Sequence, residues 1–150
     1  MDFKNILIVG IGLIGGSILH ALKERSFSGR VYGIDTNKSA VSSAYELGLI
    51  LNKDTNLPKE LDDLCVIISV PVLSVEDALS QIDHIINKED VIYTDTLSVK
   101  SSILETLKTL DSRVLKKFVL SHPIAGSEQS GFFASSPNLF EDKLSIICPH

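Results

Sequence analysis

The residues of this sequence best suited to chemistry are three glycines, an acid, a histidine and a few hydroxyls. Gly10-Ile11-Gly12-Leu13-Ile14-Gly15 is a GxGxxG motif. In such a motif Gly10 permits a tight turn off a strand. Gly12, lacking a side chain, lets a pyrophosphate approach the backbone, and Gly15 lets the next helix pack closely. That helix opens at Leu13 and Ile14, where free N–H groups and the positive dipole end suit phosphates. Asp35 stands 20 residues after Gly15, at the end of a second apolar run. A carboxylate there accepts both ribose hydroxyls and repels a 2′-phosphate, so NAD is expected over NADP. Thr36 and Asn37 add no arginine, and Lys38 is the nearest cation. The plainer alternative is a glycine turn with a helix-capping Asp. The agreement of strand, glycines, helix and acid favours a dinucleotide.

Three further strand exits carry polar groups. Ser69-Val70-Pro71 follows a buried run and can line the nicotinamide ribose; it can equally be a strand exit at which Pro stops the ladder. Residues 91–95 run into Thr96-Leu97-Ser98-Val99-Lys100, and residues 118–121 into His122-Pro123. Both exits should share the edge of the glycine loop, so His122 and Ser98 can converge on the nicotinamide. A histidine there can take a hydroxyl proton while hydride leaves the same carbon. The rival is a histidine that merely satisfies backbone groups in a Gly/Pro loop. His20, His84 and His150 read as structural or solvated. No Cys/His pairs fall at ligand spacing, so no metal is expected.

These residues need elements to position them. The spacing predicts strands over 5–9, 31–34, 64–70, 91–95, 118–121 and 144–148. Helices are predicted over 13–24, 38–47 (with Gly48 as its C-terminal cap), 75–86 and 101–110. The alternation of buried strands and helices implies a doubly wound parallel α/β sheet of the Rossmann type, with residues 1–150 as one dinucleotide-binding domain.

The 150 residues suit one domain, and 44% hydrophobic with 22% charged is a globular mix rather than a disordered one. The formal net charge of −5 argues against nucleic acid as a partner. Cys65 and Cys148 make no disulfide framework. The apolar stretch 6–19 is too short to span a membrane, and no cleavage site follows it, so a cytoplasmic protein with no membrane partner is expected. The stop at His150, straight after a strand-like run, reads as a cut.

Three segments resemble the prephenate dehydrogenases: GIGLIGGS at 10–17, DTLSVK at 95–100 and SHPIAGSEQSG at 121–131. The third is the most specific. The resemblance covers essentially the whole chain, but only that family's N-terminal nucleotide domain. It implies NAD-dependent oxidative decarboxylation of prephenate to 4-hydroxyphenylpyruvate, in tyrosine biosynthesis. His122 matches the family's catalytic histidine, and Ser98 a serine bonded to it and to the substrate hydroxyl. Ser127 and Glu128 match residues of the substrate pocket. Lys100 is expected, from its charge, to help draw in a dianionic substrate. The family continues into a helical C-terminal domain that forms the homodimer and supplies cations for the substrate carboxylates. Without it, the chain is expected to bind NAD but to turn over prephenate poorly or not at all.

Three alternatives stay open. An arogenate dehydrogenase differs in the substrate side chain, which the missing domain would read. A β-hydroxyacid-type dehydrogenase would leave His122 unexplained. A non-catalytic NAD-binding module would bind the cofactor beside an idle His122 loop.

Overall fold

The computed structural model describes residues 3–59, 61–82, 89–109 and 112–149. The elements run β1 (Asn5–Val9), α1 (Leu13–Glu24), β2 (Arg30–Ile34), α2 (Lys38–Glu46), β3 (Leu64–Ile68), α3 (Val75–Gln81), β4 (Val91–Asp95), α4 (Lys100–Thr109), α5 (Ser112–Leu115), β5 (Phe118–Pro123) and β6 (Ser145–Cys148). Short 3-10 turns lie at Val72–Ser74 and Phe132–Ala134. His84, His150 and the predicted ends of two helices (83–86 and 110) lie outside the described residues.

The sheet order is β2-β1-β3-β4-β5-β6. β1 to β5 pair in parallel, as the buried strands and helical connections require. β6 departs from the expected parallel sheet, because it pairs antiparallel with β5. A parallel return needs a crossover, usually a helix, and the connection from Ile124 to Leu144 holds only the 3-10 turn at Phe132–Ala134. The ladder closes at the loop mouth, where the Ile124 N–H donates to the Leu144 carbonyl at 2.8 Å.

Successive strand residues face opposite sides of the sheet. Leu7, Val9, Val66, Ile68 and Tyr93 pack under α3 and α4. Ile6, Ile8 and Cys65 pack under α1 and α2, against Leu19, Val41 and Ala44. All five residues of β1 are buried, which places it at the centre of the sandwich. Asn37 caps α2 by accepting from the N–H groups of Ser39 and Ala40. Gly48 ends it with φ +64°, the left-handed turn expected of a C-terminal cap.

Burial pushes the Cys65 thiol up from 9.0 to about 11. The folded protein holds that proton where the unfolded chain releases it. Stability from this site is therefore complete below pH 9 and is lost as pH rises towards about 11. Burial also raises the Tyr93 phenol, which acts in the same direction. Urea unfolding across this window should show a loss of up to about 3 kcal/mol from the thiol. A Cys65→Ala variant, weaker overall, should show a shallower pH slope.

Candidate active site

A cleft of about 600 Å³ opens at the carboxyl ends of β1, β2 and β3, where open α/β sheets bind ligands. Gly10, Gly12, Asp35, Ser69, Val70 and Pro71, the residues expected to meet the cofactor, line it. Leu13, Ile14 and Gly15 sit behind this lining, in the first turn of α1. The glycines differ in what confines them. Gly10 has φ +96°, and a Cβ there would lie 2.5 Å from the Ser69 carbonyl oxygen. A Cβ on Gly15 would lie 2.0 Å from the Gly10 carbonyl oxygen, so helix and turn touch backbone to backbone. A Cβ on Gly12 would meet nothing within 4 Å. Gly12 therefore serves the cleft rather than the packing.

Gly12 is also the N-cap of α1 and provides no side-chain cap. The first intrahelical donor is the N–H of Gly16, bonded to the Gly12 carbonyl at 2.9 Å. The N–H groups ahead of it form the positive end of the helix beside open space. Asp35 faces them with a fixed carboxylate. Its Oδ2 accepts from the Ile11 N–H at 2.6 Å and its Oδ1 from the Asn37 N–H at 2.7 Å. Lys38 lines a neighbouring recess of about 350 Å³ with Thr36, Thr55, Leu57 and Gln81. Open space over Gly12, an uncapped helix start and an anchored acid fit a dinucleotide.

The lining also includes Gly131 and Phe132, which the sequence motifs do not announce. The segment 131–136 lies along α1. Ser17 joins the two, donating to the Leu13 carbonyl at 2.7 Å and accepting from the Ser136 N–H at 2.9 Å. Phe132 is buried and stacks on His20 at 6.0 Å. Burial, aided by the Lys23 charge, lowers the His20 pKa. The available signal is Gly16-Ser17: a Cβ on Gly16 would lie 2.8 Å from Ser135 Cβ, so the missing side chain lets this segment approach the helix.

At the β4 and β5 exits, a half-buried His122 places Nδ1 3.3 Å from the Thr96 carbonyl oxygen. A carbonyl only accepts, so this bond requires the proton on Nδ1, which in the neutral ring puts the lone pair on Nε2. The Thr96 hydroxyl donates to Ser69 Oγ at 3.0 Å, linking the His122 loop to the cleft lining. Ser98 lies on the same loop as Thr96 and is exposed. Among the described residues no hydrogen bond joins Ser98 to His122; the partner is the Thr96 carbonyl. Ser127 and Glu128 are exposed on the loop after β5, and Ser127 Oγ accepts from the Gln129 N–H at 3.1 Å.

Lys100, expected from its charge to attract an anionic substrate, is engaged elsewhere. Its ammonium pairs with Asp95, which is 0% exposed, and donates to the Ser121 carbonyl. The pair is neutral as a unit, so it adds little attraction for a distant anion. Among the described residues no cluster of three or more His, Cys, Asp or Glu side chains could hold a metal ion. Nor is any described helix long and apolar enough to cross a membrane.

Residues 18–150 match the family model of the prephenate dehydrogenase nucleotide-binding domain. The chain is 34% identical over 146 residues to the prephenate dehydrogenase of Bacillus subtilis (strain 168), covering 96% of this chain and 39% of that protein. It is 33% identical over 144 residues to the prephenate dehydrogenase of Lactococcus lactis subsp. cremoris (strain MG1363), covering 96% of this chain and 40% of that protein. The crystal structure of the Aquifex aeolicus prephenate dehydrogenase, in complex with hydroxyphenyl propionate and NAD⁺, matches with a TM-score of 0.82 and 34% identity. That match covers 100% of this chain and 52% of the other. The chain thus spans about 40% of the length of the curated relatives it matches. A cleft built for a dinucleotide, on a chain matched along most of its length, gives the assignment: the protein belongs to the prephenate dehydrogenase family, as its nucleotide-binding domain.

Proposed function

We propose that this domain holds NAD⁺ for the oxidative decarboxylation of prephenate to 4-hydroxyphenylpyruvate, in tyrosine biosynthesis in the cytoplasm. The observation that carries this reading is the His122–Thr96–Ser69 chain, which runs from an imidazole nitrogen to the lining of the dinucleotide cleft. The Aquifex relative binds NAD⁺ and a hydroxyphenyl acid, and this product is also a hydroxyphenyl acid.

Gly10, Gly12 and the N–H groups at Leu13, Ile14 and Gly15 hold the pyrophosphate, Asp35 the adenosine ribose, and Ser69, Val70 and Pro71 the nicotinamide side. When bound, NAD⁺ accepts hydride from the hydroxyl-bearing ring carbon. His122 takes the proton of that hydroxyl on Nε2, with Nδ1–H held by Thr96. Ser98 orients the same hydroxyl. The electron pair of the breaking ring–carboxylate bond aromatises the ring as CO2 leaves. The proton on His122 returns to the phenolic oxygen, so no net proton is consumed.

Two substrate carboxylates need cations. Lys100 is already paired, so those cations come from the part of the protein beyond this domain. We assign to that part a helical substrate and dimerisation domain. Ser127 and Glu128 form the rim that faces it. The domain alone is accordingly inactive on prephenate.

The test is prephenate-dependent reduction of NAD⁺ by the protein that carries this domain. One CO2 and one 4-hydroxyphenylpyruvate should form per NADH. Cofactor preference is tested separately. Asp35→Ala removes a charged acceptor of two ribose hydroxyls and should weaken NAD⁺ by about 10- to 100-fold while narrowing its lead over NADP⁺. Unchanged NAD⁺ affinity in that variant, measured by calorimetry, would remove Asp35 from the ribose site.

A further inference from the structure

We infer that Asp95 and Lys100 are positioning residues that set the tautomer of His122, a role that rests on reading His122 as the proton acceptor. One buried carboxylate holds both peptides that aim the histidine. Asp95 Oδ2 accepts from the Leu97 N–H at 3.1 Å. The Leu97 nitrogen belongs to the same planar trans peptide as the Thr96 carbonyl, so the two point in opposite directions. Anchoring the N–H on Asp95 turns the carbonyl outward, where His122 Nδ1 meets it.

Asp95 Oδ1 accepts from the Ser121 N–H at 3.1 Å, and the Ser121 hydroxyl donates to the Asp95 carbonyl at 2.5 Å. Lys100 donates to the Ser121 carbonyl, whose peptide leads into the His122 nitrogen. All three polar groups of Ser121 are therefore held by Asp95 or Lys100. The acceptor and the ring are fixed from one point. Lys100 also neutralises an acid with 0% exposure, whose charge would otherwise be buried without a counter-ion. The ammonium that charge alone would assign to substrate attraction instead supports the imidazole.

The test uses this chain, labelled with ¹⁵N in its histidines, at a pH well above the ordinary histidine range. The His122 signals are assigned by their loss in His122→Asn. The expected result is a neutral ring with the proton on Nδ1, favoured by about fivefold or more, as one net hydrogen bond provides. Lys100→Met leaves Asp95 unpaired and can unfold the chain, so Asp95→Asn/Lys100→Met is measured with it. That double variant buries no charge, but its amide has one acceptor oxygen where the carboxylate uses two. At least one of the two peptides is released, and the Nδ1–H preference should vanish while NAD⁺ affinity stays within about twofold.

A folded variant that keeps the Nδ1–H preference would overturn the inference. So would unfolding of both variants, which would make the pair a brace for the fold. The outcome is separable from the proposed reaction. Full activity of His122→Asn in the complete protein would defeat the assignment of the base, whatever the tautomer. Lost activity in that variant, with an unmoved tautomer in the double variant, would defeat only the role of Asp95 and Lys100.

Discussion

Replacing His122 with Asn in the complete protein should lower kcat on prephenate by about 10²- to 10⁴-fold, the range over which a positioned acid–base group acts. Asn is the appropriate replacement because of the Thr96 bond. Its amide N–H can still donate to the Thr96 carbonyl, so the loop keeps its anchor. What it lacks is a basic nitrogen where Nε2 stood. The loss should therefore fall on kcat, and the dissociation constant of NAD⁺ should stay within about twofold, since His122 is not among the cleft-lining residues. A fall in NAD⁺ affinity of the same size would mean that the substitution had disturbed the cleft. Retained kcat would mean that His122 only braces its loop.

A single methyl group should act in opposite ways at two glycines three residues apart. Gly12→Ala puts its methyl in space with no neighbour within 4 Å, so the fold should be kept. In the proposed complex that space admits the pyrophosphate to the backbone. Loss of one or two charge-assisted bonds there should weaken NAD⁺ by about 10²-fold or more. Gly15→Ala puts its methyl 2.0 Å from the Gly10 carbonyl oxygen, and backbone on both sides must move. The cost should reach the upper end of the about 1–3 kcal/mol typical of overpacking, or exceed it. Thermal melts and NAD⁺ titrations of the pair separate the two roles. Equal melting temperatures with equal affinities would contradict both.

Much of the dinucleotide half was legible because its signals are local. β1 and α1 begin and end where expected, since a continuous apolar run, a glycine turn and a small-residue helix follow each other without a gap. Asp35 is at a fixed distance from the glycines because one βαβ unit sets it. The direction of β6 was not legible from its residues. Ser145–Cys148 would read the same in either sense, and only the lack of helical periodicity over 124–144 hinted at a return by a loop.

The surroundings of His122 depend on long-range pairing. Lys100 and Asp95 are five residues apart across a turn, a spacing with no helical meaning, and the Ser121 carbonyl that completes the group comes from another strand. The bond between Ser17 and Ser136 spans 119 residues. No local pattern announces either contact. The charge of Lys100 was visible in the sequence, but the buried acid that occupies it was not.

This chain by itself is expected to hold NAD⁺ over Gly12 and against Asp35. Isothermal calorimetry of the chain with NAD⁺ and with NADP⁺, using Gly12→Ala as the reference, tests it most directly. The expected result is saturable 1:1 binding of NAD⁺, weaker binding of NADP⁺, and loss of the NAD⁺ signal in the folded variant. Tighter binding of NADP⁺, or NAD⁺ binding that Gly12→Ala leaves untouched, would contradict it.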